Sequence, residues 1–149
     1  MTWFFRQGAA PLEVALEVSD RSLFVPWTAQ ASHNQDGTHL AFDGDPQTAW
    51  NSTVDQEPGM WFQVDLGSPQ RIRRVVMESS KDEAPRGYRL SISLDGQTWS
   101  EVASRPLNYS PVDVTLGTPL ARYLRVETTS TDKFNHPWVI AECNIDLAA

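Results

Sequence analysis

At 149 residues the chain is long enough to form one domain that buries its own core without disulfide staples. Its formal net charge of -7 excludes a general electrostatic attraction to DNA, RNA or anionic lipid, so neither nucleic acid nor a membrane surface is an expected partner. Hydrophobic residues make up 40% and no apolar run is long enough to span a bilayer, which excludes the disordered and membrane-spanning classes.

Met1–Leu12 holds an aromatic patch, Trp3, Phe4 and Phe5, but not the charged segment and long apolar stretch of a signal peptide. Leu12, Val14, Leu16 and Val18 then alternate with Glu13, Ala15 and Glu17, the period of a half-buried strand. Residues 1–26 read either as an extension that adds one strand or as the tail of an upstream domain, and Pro26 marks the start of the main module, 27–149. A short helical turn around Leu40–Phe42 leads into the turn Asp43-Gly44-Asp45-Pro46. Met60, Phe62, Val64 and Leu66 alternate with Trp61, Gln63 and Asp65, and Leu66-Gly67-Ser68-Pro69 reads as the turn that ends that strand. Tyr88, Leu90, Ile92 and Leu94 alternate next, up to the turn Asp95-Gly96. Val112, Val114 and Leu116 follow, then Gly117-Thr118-Pro119, Leu124 and Val126, and finally Val139, Ala141, Cys143, Ile145 and Leu147. A period of two with frequent turns and no long helix predicts an all-β antiparallel sandwich or barrel. Cys143 is the sole cysteine, so no internal disulfide forms; its place in an alternating run makes it a buried apolar residue rather than a reactive thiol.

The segment from Asp43 to Thr48 packs two carboxylates and a hydroxyl into one turn, oxygen donors of the kind calcium takes. By spacing alone, a solvated turn in which Asp43 caps its own backbone is the more economical reading, and the EF-hand register is absent.

From Trp27 to Leu147 an ordered set of motifs resembles the coagulation-factor type C, or discoidin, domains, and within them the bacterial family 32 carbohydrate-binding modules. They are Trp27-Thr28-Ala29-Gln30-Ala31-Ser32, Ala41-Phe42-Asp43-Gly44-Asp45 with Thr48 and Trp50, Trp61-Phe62-Gln63-Val64-Asp65-Leu66-Gly67, Pro85-Arg86-Gly87-Tyr88, Ser93-Leu94-Asp95-Gly96 with Trp99, Ala121-Arg122-Tyr123-Leu124-Arg125-Val126, and Trp138 with Ile140 and Glu142. The resemblance implies a jelly-roll sandwich of roughly eight strands. It also implies a structural calcium, with side-chain ligands Asp43, Thr48 and Glu142 and backbone oxygens of Leu40, Asp45, Thr48 and Ala141. The five tryptophans on the matched framework, Trp27, Trp50, Trp61, Trp99 and Trp138, are expected in the core.

The resemblance further implies a non-catalytic module that binds carbohydrate through loops at one end of the sandwich. Such a site needs a flat aromatic against the apolar face of a pyranose, and planar polar groups for its hydroxyls. Loop Ser32–His39 supplies His33, loop Asn51–Gly59 Asn51, loop Ser79–Arg86 Arg86, loop Arg105–Ser110 Tyr109, and loop Ser130–Pro137 Phe134 and His136. These six are the candidate sugar contacts. Galactose-binding relatives carry a histidine where this chain has Asn51, which argues against a galactose preference. No nucleophile elbow, zinc motif or phosphate loop is present, and Asp82 and Glu83 are adjacent rather than opposed, so no catalytic residues are assigned. The expected context is an exported protein, extracellular or periplasmic, with a covalently attached carbohydrate-active domain. The alternative reading is a protein-interaction or cell-adhesion module of the discoidin type.

Overall fold

A computed structural model of the chain describes residues 27–80, 82–131 and 136–148. The strand expected over Leu12–Val18 and the candidate contact Phe134 lie outside the described residues. Among the described residues nine strands follow one another: β1 (Thr28–Ala31), β2 (Trp50–Asp55), β3 (Trp61–Glu78), β4 (Tyr88–Ser93), β5 (Ser100–Arg105), β6 (Val112–Thr115), β7 (Leu120–Thr128), β8 (Pro137–Ile140) and β9 (Glu142–Leu147). One 3-10 helix, Gln35–Ala41, sits between β1 and β2. It is longer than the turn expected at Leu40–Phe42 and takes up most of the segment read as the loop Ser32–His39. Among the described residues, no helix is long and apolar enough to cross a membrane.

Every strand pairing is antiparallel. One sheet has the order β1-β3-β7-β4-β5, while β6 and β9 flank the far half of β3 and β2 pairs with β8. The first half of β3 lies between β1 and β7, with Gln63 opposite both Gln30 and Arg125. Its second half lies between β6 and β9, with Val75 opposite both Val114 and Ile145. The segment Leu66-Gly67-Ser68-Pro69 is therefore not a turn but an irregularity within one strand: pairing with β7 resumes at Gln70 and Arg71, and pairing with β9 begins at Ile72. Gly67 takes a left-handed φ of 85°, its N–H donates to Asp65 Oδ1 at 2.8 Å, and Pro69 offers no ladder donor, so pairing lapses and the strand bends.

Between the sheets, alternate residues interdigitate as the sequence period requires. Phe62, Val64 and Leu66 of β3, Leu90 and Ile92 of β4, and Leu124 and Val126 of β7 are buried, as is Cys143 of β9. An aromatic chain crosses the interior: Trp27 meets Phe42 edge-on at 6.0 Å, Phe42 lies 6.2 Å from Phe62, Phe62 packs 5.0 Å from Trp50, and Trp50 meets Trp138 at 5.2 Å and 89°. It fixes the 3-10 helix and the β2–β8 ladder against the first sheet. Trp27, Trp50 and Trp138 are thus core residues, but Trp61 and Trp99 are not. Both are only half-buried and stand on the outer face of the first sheet: odd-numbered positions in the first half of β3 point away from the core, and Trp99 meets the same Arg125 guanidinium as Trp61.

Candidate functional site

The Asp-Gly-Asp turn follows the 3-10 helix and packs against the start of β9. Asp43 Oδ1 accepts the N–H of Asp45 at 3.0 Å, Asp43 Oδ2 accepts the Thr48 hydroxyl, and Asp45 Oδ1 accepts the N–H of Gln47 at 2.9 Å. Glu142 is only 8% exposed, and its Oε1 accepts the N–H of Gly44 at 3.2 Å. Of the three side chains expected as ligands, Glu142 joins β9 to the turn through the Gly44 N–H, while Asp43 and Thr48 bond each other within the turn. Leu40 ends the 3-10 helix just upstream, and Ala141 precedes Glu142, its N–H donating to Glu78 O at 2.7 Å. Among the described residues, no three His, Cys, Asp or Glu side chains form a metal cluster, so a cation here would depend also on the Thr48 hydroxyl and backbone oxygens. An all-oxygen donor set containing a buried carboxylate suits a hard cation.

The candidate sugar contacts fall into two neighbouring groups. The first is His33 with Asn51. His33 is half-buried, with ring Nδ1 2.9 Å from the Ser32 hydroxyl, and its carbonyl accepts the Trp50 indole N–H at 3.2 Å. Asn51 lies on β2 rather than in a loop; its carbonyl accepts the Asn34 amide at 3.0 Å, and its Oδ1 accepts the N–H of Thr53 at 2.7 Å. That bond accompanies a bulge in the β2–β8 ladder, where Thr53 takes a φ of 67°, a conformation a β-branched residue adopts only under constraint.

The second group is Arg86, Tyr109 and His136. The Arg86 guanidinium lies 4.5 Å from the centroid of the Tyr109 ring, and Tyr109 remains 55% exposed. Two residues absent from the sequence-based set hold this pair. Asn108 is buried and donates from Nδ2 to Pro85 O at 2.8 Å and to Ser110 O at 2.6 Å, while its backbone N–H donates to Arg86 O. Gln56 ties three loops together. Its Nε2 donates to Ala84 O at 2.9 Å, its Oε1 accepts the Arg86 N–H at 3.0 Å, and its backbone N–H donates to His136 O at 3.0 Å. Gly87 completes the join, since a Cβ there would stand 2.5 Å from Pro106 O. Asn108 sits in a stretch of turn-type composition, but nothing in the sequence marked Gln56.

The two groups are linked through the β2–β8 ladder. Val139, opposite Asn51 in the ladder, donates its N–H to Glu83 O at 3.0 Å in the loop that carries Arg86. Asn51 and Asp55 are four positions apart on β2, at most about 13 Å at strand rise. The same segments carry carboxylates: Asp55, Glu57 and Asp82 are exposed, and Glu83, half-buried, accepts the Ser80 hydroxyl at 2.7 Å.

A profile of the F5/8 type C domain matches residues 27–143. The chain belongs to this family. Among solved structures, the F5/8 type C domain described above is similar to chitosan-binding module 1 of the chitosanase/glucanase from Paenibacillus sp. IK-5, with 27% identity over 80% of this chain and 93% of that one and a TM-score of 0.69. Chitosan-binding module 2 of the same enzyme, solved with chitotriose, shares 25% identity over 79% and 94% of the two chains, at a TM-score of 0.68. The family 89 glycoside hydrolase from Clostridium perfringens matches at 28% identity and a TM-score of 0.62 over 80% of this chain, which spans only 14% of that much longer one. Among curated proteins, none matches.

Proposed function

We propose that this F5/8 type C domain is a non-catalytic carbohydrate-binding module that takes a glucosamine-containing polysaccharide at the loop end of its sandwich. The observation that carries this reading is the Arg86–Tyr109 pair: an exposed ring backed by a guanidinium and held by buried Asn108 and by Gln56. A ring restrained in this way offers flat apolar surface at little entropic cost, and the adjoining His33, Asn51 and His136 supply groups for hydroxyls. The acidic rim of Asp55, Glu57, Asp82 and Glu83, within a chain of net charge -7, suits an amino sugar that carries positive charge. The similar modules named for chitosan binding support the same ligand class. Similarity to one part of a long glycoside hydrolase supports a role in targeting an attached carbohydrate-active domain outside the cytoplasm.

The reading includes a structural calcium held by the side chains of Asp43, Thr48 and Glu142, with backbone oxygens of Leu40, Asp45, Thr48 and Ala141. When bound, the ion would neutralise the carboxylates and tie the turn to β9. It would add stability rather than catalysis.

Calorimetric titration with chitotriose tests the function. Binding should weaken with salt, fall at least about tenfold in Tyr109→Ala and Arg86→Ala, and leave neutral cellotriose the poorer ligand. Absence of binding to both trisaccharides and to chitosan would refute it.

A further inference from the structure

The outward face of a sheet in a sandwich should be polar, and on the β1-β3-β7-β4-β5 sheet two tryptophans depart from that rule. Trp61 of β3 and Trp99, next to β5, are both half-buried there. The Arg125 guanidinium of β7 lies over both rings, 4.7 Å from the Trp61 centroid and 4.8 Å from that of Trp99. Arg125 Nε and Nη2 also donate to Gln63 Oε1 at 3.0 and 2.8 Å, which holds guanidinium and amide in place. The result is a row of planar groups running across the strands. With the guanidinium between them, the two ring centroids are at most about 9.5 Å apart, so the row is longer than one sugar ring.

Beside this row lies a groove of about 290 Å³ whose lining includes Gln30, Gln63, Asp65, Asp95, Gln97 and Tyr123. Its polar groups are of two kinds. Asp65 is engaged by Arg122, whose Nε and Nη2 donate to its two oxygens at 2.8 and 3.1 Å. By contrast, the side-chain amides of Gln30 and Gln97, Nε2 of Gln63 and the indole N–H groups of Trp61 and Trp99 make no hydrogen bond among the described residues. Asp95 is exposed; its Oδ1 accepts N–H groups of Gln97 and Thr98 at 2.8 and 2.9 Å, and no bond among the described residues uses Oδ2. Folding accounts for the Arg125 stack, but not for gathering uncommitted amides, two indole donors and a carboxylate beside half-exposed aromatic surface. That combination matches a polyhydroxylated ring with an amino substituent: apolar faces to stack, hydroxyls for amides, an ammonium for Asp95.

We propose that this outer sheet face is a second polysaccharide surface, separate from the loop end. A glucosamine-containing chain lies across Trp61, Arg125 and Trp99 and reaches Gln30, Gln63, Gln97 and Asp95. The sugar class rests on the reading of the loop end given above; the location rests on the sheet face alone.

The test uses the full chain, uniformly ¹⁵N-labelled, titrated with chitotriose and with soluble chitosan. The indole N–H signals of Trp61 and Trp99 should shift, and should still shift in an Arg86→Ala/Tyr109→Ala double variant whose loop end no longer binds. Trp99→Ala should weaken chitosan binding about five- to tenfold, the size of one lost stacking contact, with chitotriose still perturbing the Arg86 and Tyr109 signals. Should Trp99→Ala melt early, the surface pair Gln30→Ala/Gln97→Ala replaces it, with a loss in the same direction. Indole signals that stay still at saturation, or chitosan affinity unchanged in both sheet-face variants, overturn the proposal and leave the loop-end reading intact. If loop-end variants bind like the parent while Trp99→Ala abolishes binding, the loop-end reading fails and the sheet face stands. A concentration-dependent dimer dispersed by Trp99→Ala, with no indole response to chitosan, assigns the face to self-association and overturns the proposal.

Discussion

Replacing Asn108 with alanine should cost the protein both stability and grip. Asn108 is 3% exposed and its amide makes two bonds, to Pro85 O at 2.8 Å and Ser110 O at 2.6 Å. Ser110 is exposed and water can replace that donor, but Pro85 is buried and its carbonyl would lose a partner. A net loss near 0.5 kcal/mol for the Ser110 bond and 1–2 for the Pro85 bond gives about 2 kcal/mol in total. For a chain of this size that lowers Tm by about 4–8 °C. Loosening the loop also frees Tyr109 from the Arg86 guanidinium, so chitotriose affinity should fall by about three- to tenfold at a temperature where the variant is fully folded. Asn108→Asp sharpens the test, because it keeps the acceptor near the Ser110 hydroxyl but sets an oxygen where Pro85 O expects a donor. It should be the worse of the two. Scanning calorimetry and calorimetric titration measure both effects. An Asn108→Ala variant that melts within about 1 °C of the parent refutes the pinning role; one that melts early yet binds chitotriose unchanged refutes the link from pinned loop to binding platform.

Gly87→Ala should destabilise by about 1–3 kcal/mol in a urea titration, since its Cβ would press against the backbone oxygen of Pro106 and push the Tyr109 loop outward. If calcium occupies the Asp43 turn, chelation should lower Tm and added calcium should restore it, with no response to either in Glu142→Gln; a parent chain indifferent to both refutes the ion. The Arg122 hydrogen bond holds the Asp65 carboxyl below its ordinary value, and Arg74 does the same for Asp113. A carboxyl depressed in the folded state stabilises above its unfolded pKa, near 4, and that contribution disappears as pH falls through the lower folded value. Urea midpoints should therefore drop between about pH 4.5 and 2, less steeply in Asp65→Asn.

The legible part of the fold was the part that obeys strict alternation. Met60 to Leu66, Tyr88 to Ile92 and Leu124 to Val126 place one buried face on a regular ladder, and the sequence period reports it directly. The second half of β3 was missed because Ile72, Val75 and Met77 are buried at spacings of three and then two, with a register shift against β9 between Ile72 and Arg74. No single period describes a bulged strand. Trp61 and Trp99 were misread for a different reason. Hydrophobicity suggests burial, but Trp61 occupies an odd position beside Gln63 and Asp65, and only Arg125, far along the chain, explains why it stands outside. At the loop end Arg86 and Tyr109 were legible as residue types. Their contact was not, because it depends on Asn108 and Gln56 crossing between loops distant in sequence.

The continuity of β3 through both layers has a mechanical consequence. A sandwich whose layers are joined only by loops can part like two leaves, but here one unbroken backbone is stitched into each, so no hinge axis runs between them. Amides of Phe62, Val64, Val75 and Met77 should then exchange with deuterium together and only through whole-domain opening, while those of β5 at the sheet margin escape earlier.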